Sequence, residues 1–278
     1  TPSQRGWSLW HKPGAAYQLN WSHPLLRART MKAVLMANEG GGSRAQSLVD
    51  GTPWDVQAKD LWRPPGWFFP APSSGTAYVD SVNTLAHGIG TGPFTWVVRL
   101  IASLGGAGNE HWVVGNGSYA PGFGTSSDGQ GNKVLFYNAG QFPFVFNARD
   151  EQWHVLVLTR SGTTVRLFHD GILDATTVSY SGSMADAKFH VGQMGDGNLW
   201  RGYLDYVLFD GRAWSQAEAA MLTASPYCFL QPDRPRFCGV AVGITTIQNV
   251  LASGAWSVAV ARALTAVRTL SAAGTWSV

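Results

Sequence analysis

Six Asp-Gly or Asn-Gly pairs punctuate this sequence: Asp50-Gly51, Asn116-Gly117, Asp128-Gly129, Asp170-Gly171, Asp196-Gly197 and Asp210-Gly211. Such pairs suit tight hairpins, because both central residues of a type I′ turn need positive φ. In the clearest instance, Thr164–His169 alternates, turns at Asp170-Gly171 and continues as Ile172-Leu173-Asp174. Alternation puts Val165, Leu167 and His169 on one face and Arg166 and Phe168 on the other. Further strands are predicted at Met31–Ala37, Phe94–Leu100, His111–Val114, Val134–Tyr137, Trp153–Thr159, Lys188–Gly192 and Leu204–Phe209. One helix is predicted, over Ser215–Thr223, with Ser215 as N-cap and Glu218 completing a capping box. Composition agrees. Charged residues are 13% of the chain, against about 25% in an average globular protein. Four Glu and five Lys cannot clothe long exposed helices, whereas 33 Gly and 13 Trp suit short strands and turns. The expectation is an antiparallel β-sandwich.

Charge is unevenly placed. Residues 1–38 carry Arg5, Lys12, Arg27, Arg29 and Lys32 without an acid, residues 39–233 sum to −6, and residues 234–278 carry four arginines. Basic ends on an acidic middle suggest arms that reach acidic neighbours, copies of the same chain among them. The basic residues are too sparse for a nucleic-acid stripe. The uncharged run Phe237–Ala261 alternates with Thr, Ser, Gln and Asn, so no membrane span is expected. The segment Thr1–Trp7 lacks the apolar heart of a secretory leader. Cys228 and Cys238 make neither a disulfide framework nor a metal spacing, and unpaired thiols are expected. Near the C-terminus, Leu251–Val258 is echoed by Ser271–Val278, a duplicated strand unit.

The strand segments also carry a family likeness. Phe94-Thr95-Trp96-Val97-Val98-Arg99-Leu100 resembles a strand of laminin-G-like, concanavalin A-like modules. Gln152–Arg160 is similar to their Trp-His strand, Val165–Gly171 to the hairpin that follows, Phe189–Gly192 to a later strand, and Arg201–Glu218 to the closing strand and helix. The pieces occur in the family's order across about residues 31–225. The resemblance implies a jelly-roll sandwich. Asn20–Leu26, Met31–Ala37 and Asn38-Glu39-Gly40-Gly41-Gly42 resemble the opening of laminin-G-like proteins encoded by tailed phages and prophages, which implies a virion component.

Chemistry is thinly represented. Glu39, Glu110, Glu151 and Glu218 are isolated, so the clustered acids of a glucanase strand are missing. Asp205 and Asp210, five residues apart on one strand, are expected on opposite faces, with Asp205 buried as a hydrogen-bonding residue. The seven histidines have no metal-binding spacing, and His154 is expected to pack beside Trp153. No catalytic residue, cofactor or metal ligand is assigned. The resemblance implies Ca²⁺ as the family's common ligand; Asp128, Asp196 and Asn198 sit in Gly-rich loops, but turn formation explains each equally. Trp62, Trp67, Phe68, Phe69, Trp112, Tyr119 and Trp200 are the candidates for stacking on a glycan. The Pro-punctuated run Pro64–Pro72 is expected as a loop, either sealed on the sandwich or used for docking.

The expected organisation is a basic arm over 1–30, a laminin-G-like sandwich over 31–237 and a β-rich arm over 238–278. The implied protein is non-enzymatic, made in the host cytoplasm and carried on the virion exterior as a capsid decoration or cementing protein. Its partners would be capsid or other virion proteins and further copies of itself, joined through Trp7, Trp10, Arg27, Arg29, Trp67, Phe68, Phe69, Trp256, Arg262, Arg268 and Trp276. Two alternatives stand beside it: a tail-fibre or receptor-binding module for host glycans, and a glycosidase of the same fold.

Overall fold

The computed structural model describes residues 17–37, 43–56, 62–63, 66–69, 78–103, 111–117, 121–125, 133–138, 140–193 and 200–232. All of them lie in the first of two units, Thr1–Pro232. Two antiparallel sheets face each other. The first has strand order β15 (Ile172–Ser179), β14 (Thr164–His169), β13 (His154–Ser161), β8 (Phe94–Ala102), β17 (Gly202–Asp210), β6 (Gly66–Phe69) and β5 (Trp62–Arg63). Here β2 (Met31–Met36) also pairs with β17, beyond the end of β6. The second sheet runs β12 (Gln141–Asn147), β11 (Lys133–Tyr137), β10 (Gly122–Thr125), β9 (His111–Asn116), β16 (Phe189–Val191), β7 (Val79–Ser81), β4 (Pro53–Val56) and β3 (Arg44–Gln46). This is the expected all-β, concanavalin A-like sandwich.

Local chemistry explains the elements. Asp170 and Gly171 both have positive φ, 50° and 80°, as the hairpin requires. The helix α1 (Gln216–Ala224) starts where its capping signals stand: the Ser215 hydroxyl accepts from the Glu218 N–H, and the Glu218 carboxylate accepts from the Ser215 N–H. Between the sheets, alternate residues interlock around Trp54, Trp96, Phe189 and Phe209, whose rings meet edge-on or stacked. No helix among the described residues is long and apolar enough to cross a membrane.

The outer face of the first sheet is covered over its central strands, while the edge strand β15 stays largely exposed. Residues 17–30, expected within a basic arm, pack there together with α1 and residues 225–230. Leu19, Leu25 and Leu26 join Val97, Val157, Phe168, Tyr206 and Leu208 of the sheet and Leu222 and Phe229 of the covering layer. β1 (Tyr17–Leu19) pairs with β18 (Leu230–Pro232), which sets Tyr17 opposite Pro232.

Two buried arginines hold this scaffold. Arg160 has no exposed surface, and its guanidinium donates to the carbonyls of Gly90, Gly92 and Gly182 while lying between the rings of Phe94 and Tyr180. It ties the segments around Gly90 and Gly182 to β13. Arg99 donates to Asp205 at 2.5 Å and to the Tyr227 hydroxyl at 3.0 Å. Asp205 is thus the buried hydrogen-bonding residue expected, but the expectation about its face is corrected. A bulge between Leu204 and Tyr206 adds one residue to the count. Asp205 and Asp210 consequently both point to the outer layer, where they accept from Tyr227 and Trp214.

Candidate functional site

The side of the second sheet away from the core carries a polar row that alternation builds strand by strand. In β3, Ala45 points inward and Arg44 outward; in β4, Trp54 and Val56 point inward and Asp55 outward. Val79 of β7, and Phe189 and Val191 of β16, take core positions, which turns Asp80 and His190 outward. Register then aligns Arg44, Asp55, Asp80, His190, Gly115, Gly122, Tyr137 and Gln141 in one line across the eight strands.

The row has two halves. On the β9–β11 side, Gly115 and Gly122 are buried, and Trp112 lies edge-on to Tyr137 at 5.1 Å. On the β3–β16 side it is polar. Arg44 faces Asp55 at 3.7 Å, and the Lys188 ammonium lies 4.0 Å from Oδ2 of Asp80. Tyr78 meets the His190 ring edge-on at 6.4 Å. The Asp80 residue is only 8% exposed. Its Oδ1 and the Nδ1 of His190 are both shielded, and neither has a hydrogen-bond partner among the described residues. Burial chiefly, helped by the Lys188 charge and opposed by Asp80, holds the His190 imidazole below its ordinary pKa. Burial and the Asp80 charge push the Tyr78 hydroxyl up. The centre of the strip is therefore a neutral imidazole beside a shielded carboxylate oxygen.

A second titratable cluster lies at the start of β13. His154 Nδ1 sits 2.7 Å from Asp170 Oδ2, and its Nε2 sits 2.8 Å from Asp150 Oδ1. Burial alone would lower its pKa, but the hydrogen bonds and charges of Asp170 and Asp150 outweigh burial and raise it. Phe146 stacks on His169 at 4.1 Å and meets His154 edge-on at 5.0 Å. The sequence suggested a packing role beside Trp153 for His154; its two carboxylate partners come from a loop and a hairpin turn, where spacing gives no signal. Asp80 and His190 escaped notice for the same reason: 110 positions apart, they become neighbours only through the β7–β16 pairing.

The interface candidates scatter. Trp67 and Phe69 are corrected to core residues, because Gly66–Phe69 is a strand paired to β17 and not a loop. Phe69 fits against Gly192, where any Cβ would collide with its ring, and meets Trp200 edge-on at 5.3 Å. Trp200 is likewise fully buried, and Trp112 nearly so, which removes both from the glycan-stacking candidates. Phe68 is half-buried against Tyr203. Arg27 and Arg29 are exposed, with the Arg29 guanidinium 5.8 Å from the Trp21 ring centre. Trp7, Trp10, Tyr119, Asp128, Asp196, Asn198, Cys238, Trp256, Arg262, Arg268 and Trp276 lie outside the described residues, as does the side chain of Trp62. Cys228 is a free thiol, which burial pushes up to about 12. Glu218 serves the helix cap and an ion pair with Arg212. Among the described residues, no three His, Cys, Asp or Glu side chains gather as a metal site.

Comparison with known proteins follows the same lines. No curated protein sequence matches the chain. Among solved structures, Trypanosoma rangeli sialidase is similar at TM-score 0.55 and 16% identity over 71% of this chain and 33% of that one. The binding domain of Paraclostridial Mosquitocidal Protein 1 is similar at TM-score 0.54 and 13% identity, over 72% of this chain and 53% of that one. Domain 4 of AbnA, a GH43 extracellular arabinanase from Geobacillus stearothermophilus solved with arabinotriose, has TM-score 0.51 and 10% identity, over 70% of this chain and 98% of that domain. The chain thus spans about one third of the sialidase. At these identities the likeness concerns the fold. The family model described as the concanavalin A-like lectin/glucanases superfamily matches residues 73–220, just over half of the chain, and the chain belongs to that superfamily through a laminin-G-like domain.

Proposed function

We propose that the sandwich is a non-catalytic carbohydrate-binding module whose ligand contacts the polar strip of the second sheet. The observation that carries this reading is the row of polar side chains, Arg44, Asp55, Asp80 and His190 with Lys188 beside it, that strand register lines up on the outer side of the second sheet. The similarity in fold to an arabinanase domain solved with arabinotriose fits this reading. A glycan array on the full chain, compared with Asp80→Ala and His190→Ala, tests it. Binding by the native chain that both variants lose, at unchanged melting temperature, is the expected result; an array without signal would reject it.

A second reading concerns where the module is carried. Tyr17 and Pro232 are paired neighbours, so the chain enters and leaves the sandwich at one place. Basic residues flank both points in sequence: Arg5 and Lys12 before, Arg234 and Arg236 after. This favours a tether at one pole, as a protein on the exterior of a phage virion would need, whether it decorates the head or sits on the tail. Cryo-electron microscopy of purified particles should place its density on the head lattice or at the tail tip. Particles without it would dismiss the virion setting and leave the binding reading untouched.

A further inference from the structure

We infer that the sandwich pairs with a second copy of itself through an uncharged apolar face made by β12, β15 and α1. The inference stands apart from carbohydrate binding. All five large hydrophobic side chains exposed among the described residues lie on these elements: Phe142 and Val145 on β12, Ile172 and Leu173 on β15, and Met221 on α1. Val145 and Ile172 are each 60% exposed. The three elements adjoin. Asp174 of β15 accepts from the backbone N–H groups of Val145 and Phe146 on β12, at 3.1 and 2.9 Å. On the other side, a Cβ at Gly171 would lie 2.8 Å from the Cα of Ala220 on α1. Single exposed apolar residues need no explanation, but a cluster of them marks an interaction surface.

The charges within this face are already engaged. Asp174, the one charge of β15, holds the N–H groups of β12 and of Thr176. Glu218, the one charge of α1, closes the helix cap and pairs with Arg212. β15 ends the first sheet without the Lys or Pro that guards many exposed edges. The register shift between Arg166 and Phe168 bulges this edge, so side chains, not a continued β-ladder, make the contact.

Charge at the two ends of the face selects the occupant. At one end Asp150 and Asp170 both bond His154, and the exposed Glu151 follows Asp150 directly. At the other, Arg166 lies opposite Thr177, on the face of β14 that turns Phe168 to the outer layer. Neither Glu151 nor Arg166 joins an ion pair among the described residues. Thr159 is level with Arg166 on β13, and His154 is five residues from it, about 17 Å along the strand. A two-fold axis through the face runs the second copy in the opposite direction. Glu151 of each copy then meets the partner's Arg166, while the apolar side chains meet between them.

Sedimentation equilibrium on the full chain tests this, with a melting temperature for each variant to separate lost pairing from lost folding. The native chain is expected to be a dimer. Ile172→Lys and Leu173→Lys should each weaken it at least tenfold. Glu151→Arg and Arg166→Glu should each weaken it too, but together in one chain they should restore it, because the exchange re-pairs every charge across the axis. That rescue decides the matter should a lysine variant fail to fold. A monomeric native chain, a trimer or larger ring, a dimer that all four single variants leave intact, or a double variant no better than its singles would overturn the inference. None of these outcomes touches the glycan-array result.

Discussion

Nδ1 of His154 lies 2.7 Å from Oδ2 of Asp170, joining the start of β13 to the turn between β14 and β15. With Asp150 on the other ring nitrogen at 2.8 Å, His154 satisfies both carboxylates only as the doubly protonated imidazolium.

That geometry gives stability a definite pH dependence. The folded pKa of His154 is raised above 6.5, so its contribution is complete below that value and fades as pH rises through the folded pKa. His87, His169 and His190 are lowered, chiefly by burial, so the stability they confer is present above 6.5 and is lost as pH falls. His154→Gln should therefore cost about 1–2 kcal/mol near pH 6 and distinctly less near pH 9. Thermal unfolding at the two pH values checks this; equal losses would mean that the imidazolium is not what holds the turn.

Arg160 should be intolerant of substitution although its hydrogen-bond partners among the described residues are carbonyls rather than carboxylates. Arg160→Met orphans the carbonyls of Gly90, Gly92 and Gly182, an expected loss of about 3–5 kcal/mol. Arg160→Lys keeps the charge but cannot reach all three, and should fall between. Urea unfolding orders the variants, and a lysine variant as stable as the native chain would contradict the forked geometry.

Asp205 should matter for folding and not for binding. Arg99→Met leaves its carboxylate buried without the guanidinium, which should cost about 3–5 kcal/mol. The network lies on the outer face of the first sheet, away from the strip, so any saccharide affinity of the folded fraction should be unchanged. Calorimetry normalised to folded protein would expose a mistake as a changed dissociation constant.

The aromatic run at 67–69 separates core from surface in a single strand. Trp67→Ala removes a fully buried indole and should cost about 3–5 kcal/mol. Phe68→Ala, on the opposite face against Tyr203, should cost about 1 kcal/mol. Denaturant midpoints measure both, and comparable losses would place Phe68 in the core as well.

Much of this architecture was legible because it is written locally. The Asp170-Gly171 turn, the Ser215 cap and the alternation in β8, β13 and β14 depend on neighbours a few residues away, and those elements appear where expected. Gly66–Phe69 was less legible, since prolines at 64, 65 and 70 disguise a strand that is set by its pairing with β17 and β5. Asp205 shows a finer limit. Counting positions placed it opposite Asp210, but a single bulged residue, set by how β8 and β17 pack, turned it to the same side.

The site was hidden for the same physical reason. The sequence by itself determined an all-β sandwich with turns, cap and core-facing residues, since these follow from period-2 alternation and turn chemistry. It also determined that its acids and histidines are too dispersed to announce a reaction. Only the tertiary structure decided that Asp80 meets His190 and that His154 is held between Asp150 and Asp170. Antiparallel sheets bring together residues far apart in the chain, and their register depends on every strand between them.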